Sequence, residues 1–279
     1  MSWMIVGDSS CDLHSLENPS EGVSFATVPL KIRVGEREFV DNAALDTRIM
    51  MDAMHNYNGA STTACPSPEE WAEKFLMADH VLAITISSSL SGSYNSAMVA
   101  KEMVLENHPE KKIFVLDSLS TAGEMALAIW KANEMIGQGL DFETLTREWD
   151  TWYQERQILF SLANFDNLVK NGRMSKLVGF VAGVMNMRAV GRGSDDGRLE
   201  MLHKCRGETR MLALLLEELD HRGYDGKRTV VIDHCQNEHA AQLLSGAITK
   251  KWPGAKVVVT PCGGLTSFYA ETGGIIMAF

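Results

Sequence analysis

Short apolar runs alternate along the chain with longer stretches in which apolar residues recur at helical spacing. The short runs predict strands and the longer ones amphipathic helices, since side chains repeat about every two residues on a strand and about every 3.6 on a helix. Strands are predicted at Met4 to Val6, Val81 to Ile86 and Lys112 to Leu116, with a hairpin of Val28 to Val34 and Glu38 to Val40 at the sheet edge. Helices are predicted at Thr47 to Tyr57, Tyr94 to about His108, Ala122 to Gln138 and Phe142 to Arg156. Ser67, Pro68 and Glu70 form a capping box that opens another. This alternation predicts a three-layer α/β/α domain with a mainly parallel sheet over residues 1–156.

From Gln154 to Gln157 the rhythm changes to strands with shorter connections. Six strand-like segments follow: Ile158 to Leu162, Asn186 to Val190, Arg198 to Leu202, Thr229 to Asp233, Val257 to Thr260 and Gly274 to Phe279. Helical patterns cover Asn164 to Lys170, Leu177 to Val184, Glu208 to Arg222 and Glu238 to Trp252. Residues 157–279 are therefore expected to form a two-layer α/β domain with a mixed six-stranded sheet and helices on one side.

Charge and cysteine usage narrow the function classes. With 36 acidic against 26 basic residues and a formal charge of −10, the surface opposes a phosphate backbone, and nucleic acid is not an expected partner. The five cysteines are scattered and odd in number, so neither a zinc site nor a disulfide framework is indicated. His234-Cys235 with His239 resembles a metal cluster only superficially, because adjacent side chains point apart, and no metal is expected. The amino terminus runs straight into a strand without a signal-peptide pattern. The longest apolar stretch, Leu177 to Met187, is short of the roughly 20 residues a bilayer requires. A cytoplasmic location is expected.

The candidate chemistry lies in hydroxyl-rich loops after strands. Gly7-Asp8-Ser9-Ser10, Thr62-Thr63 and Ile86-Ser87-Ser88-Ser89-Leu90-Ser91-Gly92-Ser93 each precede or open a helical pattern. Free amides at a helix start favour an anion, so these loops suit a carboxylate or phosphate. Asp8 reads as a structural or helix-capping residue. Gly191 to Gly197 reads as a plain turn between strands, since it lacks a Walker lysine.

Four stretches in order resemble the DegV family of bacterial fatty-acid-binding proteins. They are Gly7 to Leu13, Thr63-Ala64-Cys65-Pro66-Ser67, Ile86 to Ala97 and Asn171-Gly172-Arg173-Met174-Ser175. The resemblance implies a lipid-binding carrier, not an enzyme, that buries an acyl chain in a tunnel between two domains. It implies a bound long-chain fatty acid, no other cofactor, and a separate fatty acid kinase subunit that phosphorylates the presented carboxylate. Transient membrane contact is a further expectation. Carried over by position, Thr63 and Ser91 correspond to the hydroxyl pair on the carboxylate, and Arg173 to the cation behind them. Tyr269 stands where the family has a histidine, and Ser267 to Gly274 lacks the family's Gly-Pro-Gly. Ala64 and Cys65 likewise replace a serine and a glutamine of the family motif. Thr62, Ser9, Gly92 and Ser93 are secondary candidates on the same loops. Glu271 is expected to repel an ionised carboxylate unless Arg173 or a proton compensates. The alternative, a serine-dependent acyl-ester hydrolase, rests on the serine cluster alone, without a G-x-S-x-G elbow.

Overall fold

Along the first strand Trp3 and Ile5 point to one face and Met4 and Val6 to the other, and all four are buried. That pattern marks a strand covered on both faces, as in a parallel sheet. The computed structural model describes residues 2–174 and 186–279. Its strands are β1 (Trp3–Asp8), β2 (Val23–Val28), β3 (Lys31–Val34), β4 (Arg37–Val40), β5 (Thr62–Ala64), β6 (His80–Thr85) and β7 (Lys112–Asp117). Then come β8 (Ile158–Leu162), β9 (Met187–Gly193), β10 (Leu199–Arg206), β11 (Val230–His234), β12 (Val257–Pro261) and β13 (Ile275–Ala278). The first helices are α1 (Thr47–His55), α2 (Pro68–Phe75), α3 (Ser93–Asn107), α4 (Gly123–Gly137) and α5 (Phe142–Tyr153). They are followed by α6 (Asp166–Lys170), α7 (Glu208–His221), α8 (Glu238–Lys251) and α9 (Gly264–Ala270). The sequence-predicted helix Leu177 to Val184 lies outside the described residues.

Strands β2-β1-β6-β7 form an all-parallel sheet. Met4, Val6, Val81 and Ala83 pack with Trp71 and Phe75 of α2 and Ala97, Ala100 and Val104 of α3. Trp3, Ile5, Leu82 and Ile84 pack on the opposite face with Met125 and Ile129 of α4 and Leu145 and Trp149 of α5. The second sheet is six-stranded and mixed, in the order β10-β9-β8-β13-β11-β12, with only β11 and β12 parallel. Helices α7 and α8 bury Leu159, Val190, Ile232, Ile275 and Met277 on one of its faces. On the other face Leu127 of α4 meets Val231 and Ala278. Helix α4 thus lies between the two sheets.

The hairpin does not extend the parallel sheet as the sequence suggests. It joins β5 in a separate antiparallel sheet of order β4-β3-β5. Val28 belongs to β2, and Pro29, which has no N–H to give a ladder, separates β2 from β3. Thr62 and Thr63, read as turn residues, are strand residues of that small sheet, with Thr63 opposite Ile32.

Candidate functional site

Asp8 ends β1 fully buried and organises the serine loop. Its Oδ2 accepts from Ile86 N at 2.8 Å and from Ser93 Oγ at 2.6 Å, while Oδ1 accepts from the Ser10 amide and hydroxyl. Burial pushes the carboxyl above its ordinary range and the four hydrogen bonds pull it back. The carboxylate thereby fixes the start of the serine loop and the first turn of α3. Between them, Ser91 Oγ accepts from Ser93 N at 3.3 Å, and its own hydrogen has no acceptor among the described residues.

A second buried acid positions the opposite wall. Asp41 accepts from Gly264 N at 2.7 Å and Leu265 N at 2.9 Å, capping α9. That short helix carries Tyr269, whose hydroxyl lies 2.8 Å from Thr63 Oγ1. Burial raises the Tyr269 phenol above its ordinary value, so it stays protonated and available as a donor at neutral pH. Arg173 follows α6 and the Asn171-Gly172 terminator, where Gly172 has φ +72°. Its Nε donates to Leu90 O at 3.1 Å and its Nη1 to Asn171 O. Among the described residues Arg173 has no carboxylate partner, so its charge is left for something else.

These elements enclose a cavity of about 310 Å³, at the small end of the range of roughly 300–1,000 Å³ typical of ligand sites. Thr63, Ser91, Gly92, Arg173 and Tyr269 all line it, so the structure brings the principal candidates together. Leu30, Ile86 and Leu90 from the first half of the chain, and Phe160, Leu162, Leu168, Leu199 and Ile276 from the second, make the rest largely apolar.

Three secondary candidates are corrected. Thr62, at the start of β5, is exposed and absent from the cavity wall. The hydroxyl of Ser9 accepts from Leu30 N at 3.0 Å, and that of Ser93 is committed to Asp8. Glu271 does not face the cavity either, and Asn164 Nδ2 donates to it at 2.7 Å. The repulsion expected from Glu271 therefore does not reach this site directly. Ser87 and Ser89 of the same loop have a different task. Their hydroxyls donate at 2.7 Å to Gly197 O and Asp196 O, tying the serine loop to the β9–β10 turn. Gly197 has φ +74°, and a Cβ there would lie 2.2 Å from Ser87 Oγ.

Thr266, also on the wall, escaped the sequence reading, as did the apolar lining. A partial signal existed in β8, where Ile158, Phe160 and Leu162 share the cavity face and Leu159 turns into the α7–α8 core. None of the described lining residues is His, Asp, Glu or Lys; Ser91 of the serine loop hydrogen-bonds no acid or imidazole among the described residues, and the lining serine that does donate to a carboxylate, Ser120 to Glu124, lies outside that loop. The hydrolase alternative gains nothing from this geometry. Among the described residues no three His, Cys, Asp or Glu side chains converge on a metal-sized site.

Fold and cavity define an α/β receptor shaped for an amphipathic ligand with one anionic end. The chain belongs to the DegV family: the model described as "Uncharacterised protein, DegV family" matches residues 2–279. A DegV domain-containing protein of Streptococcus gordonii is 43% identical over 279 residues, covering 100% of this chain and 99% of that protein. The crystal structure of the Streptococcus pneumoniae Fatty Acid Kinase (Fak) B3 protein loaded with linoleic acid superposes with a TM-score of 0.97. That match has 43% identity and covers 100% of this chain and 99% of the other. A DegV family protein from Eubacterium eligens loaded with heptadecanoic acid gives a TM-score of 0.94 at 38% identity, covering 99% of each chain.

Proposed function

We propose that this protein is a fatty-acid carrier that buries the acyl chain in the 310 Å³ cavity and holds the carboxylate at Thr63, Ser91, Arg173 and Tyr269. The observation that carries the reading is the convergence, on one apolar cavity, of three hydroxyls and a guanidinium without a carboxylate partner. A buried carboxylate is costly unless several donors meet it, and this set supplies them. The fatty acids in the Streptococcus pneumoniae and Eubacterium eligens relatives support the same ligand class. Denaturing extraction of the purified protein followed by mass spectrometry should release a fatty acid in near-equal amount. A protein that stays empty and takes up no added fatty acid would sink the proposal.

The carboxylate is then presented to a separate kinase subunit, a step supported by the name of the Streptococcus pneumoniae relative. Protein loaded with labelled fatty acid, incubated with ATP and such a subunit, should give an acyl phosphate that hydroxylamine traps as the hydroxamate. Trapping that is equal without the kinase subunit would remove this partner.

A further inference from the structure

A second cavity of about 350 Å³ lies beside the first and, among the described residues, shares Leu119, Ile158 and Gly193 with it. Its wall is polar and carries three guanidiniums, those of Arg156, Arg192 and Arg222. None of the residues assigned to the carboxylate lines it.

Arg156 is the unusual member. Its side chain is 4% exposed, yet among the described residues it makes no hydrogen bond, and its Nε is buried without a partner. Among the described residues its one ion pair is a loose one, 3.8 Å to Glu155, which is 74% exposed. The guanidinium is held from one side by the Trp152 ring, 4.6 Å away. Arg222 also has a buried, unpartnered Nε, although its other nitrogens reach Glu218 at 3.3 Å and Gln157 at 3.4 Å. The buried Tyr153 hydroxyl, with Ser118 and Ser120 as polar neighbours, makes no well-formed hydrogen bond. Arg192 is satisfied by Glu200 at 2.7 Å.

Among the described residues none of the carboxylates on this wall hydrogen-bonds Arg156. Asp117 Oδ1 accepts from Ser88 N at 3.0 Å and Leu119 N at 3.1 Å, and Asp195 is 98% exposed. Glu124 accepts from Ser120 Oγ, and burial pushes its carboxyl up to about 7, so it is largely uncharged only below neutral pH. A buried cation with no hydrogen bond and only a loose, exposed counter-ion is unfavourable, and a guanidinium fork fits the paired oxygens of an oxyanion.

We infer that this cavity is an anion site for a phosphate group, gripped by Arg156 and Arg222 with the Tyr153 hydroxyl as a further donor. Its ligand is inorganic phosphate or a small phosphomonoester; the two share the group that the arginines recognise. The inference stands apart from the acyl reading, because its residues and its probe differ.

The test uses the full-length, lipid-loaded protein at constant ionic strength. Inorganic phosphate and glycerol phosphate are titrated separately against chloride, with thermal unfolding and calorimetry as readouts. Saturable stabilisation by either probe is expected, and the tighter one identifies the source. Arg156→Gln should weaken that binding about tenfold or more, the effect of losing charge-assisted hydrogen bonds. Tyr153→Phe should weaken it severalfold while leaving fatty-acid loading unchanged. If Arg156→Gln does not fold, Arg222→Lys and Tyr153→Phe carry the comparison. No saturable response beyond chloride would mean that the cavity holds water alone and would overturn the inference. A response unaltered by all the variants would place the ion elsewhere and overturn it equally.

Discussion

At the scale of single residues, Arg173 and Tyr269 differ in what they bring to a buried carboxylate. Arg173 supplies permanent charge, and its Nε bond to Leu90 O holds the fork against the serine loop. Arg173→Ala should lower fatty-acid affinity by about 1.5–3 kcal/mol, the worth of charge-assisted hydrogen bonds, or roughly ten- to hundredfold. Arg173→Lys should recover only part, since a lysine cannot make both contacts. Displacement of a fluorescent fatty acid measures both, and wild-type affinity in Arg173→Ala would take this residue out of the site. Tyr269 supplies a neutral donor already coupled to Thr63. Tyr269→Phe should therefore cost less, about 0.5–1.5 kcal/mol, because Thr63 remains as a donor. The same displacement assay distinguishes the cases: a loss equal to that of Arg173→Ala would mean that Tyr269 also orients the guanidinium.

Among the elements, the start of α4 is a tight junction between the two large sheets. Gly123 N donates to Asp233 Oδ2 at 2.9 Å, and a Cβ on Gly123 would lie 2.6 Å from Val231 Cγ1 and 2.7 Å from that carboxylate oxygen. Gly123→Ala should therefore destabilise by about 1–3 kcal/mol through overpacking, despite alanine's better helix propensity. Urea denaturation reads this directly, and a variant as stable as wild type would show that the helix shifts freely. The sequence carried the main strands of both large sheets and most helices, because their runs are long and their periods clean. It did not carry β2, whose middle positions are half-exposed, or β5 with its three residues. Nor did it carry α9, seven residues opened by glycines. The cavity was hidden for a different reason. A strand face that lines a hollow has the same period-two pattern as one packed solid, so Phe160 and Leu162 look like ordinary core residues. Hydroxyl direction was equally illegible, and Ser9 and Ser93 are turned away from the cavity by partners distant in the chain, Leu30 and Asp8.

At the scale of the whole molecule, stability should respond to pH through acids buried in and around α4. Burial raises Glu124 from 4.5 to about 7, opposed by the Ser120 hydrogen bond and less by Arg156, and raises Asp233 from 3.8 to about 6. A carboxyl whose folded value lies above its unfolded value favours the folded state in its protonated form. The contribution is complete below the unfolded value and is lost as pH rises towards the folded one. For Glu124 the loss runs from about pH 4.5 to about pH 7 and then levels off. At about 1.4 kcal/mol per unit it amounts to roughly 3 kcal/mol. Glu124→Gln keeps an acceptor for the Ser120 hydroxyl but cannot ionise. Relative to that variant, wild type should weaken steadily across this window and run parallel to it above pH 7, as followed by urea denaturation at intervals of one pH unit. A gap that stays constant from pH 4.5 to pH 8 would mean that Glu124 titrates alike in the folded and unfolded states. The loss is opposite in direction to ordinary acid denaturation, in which carboxylates stabilised by ion pairs become protonated. Helix α4 contributes to both sheet cores, so this proton should be felt in the unfolding of the two halves together, with intrinsic tryptophan fluorescence and far-UV circular dichroism giving the same midpoint at each pH.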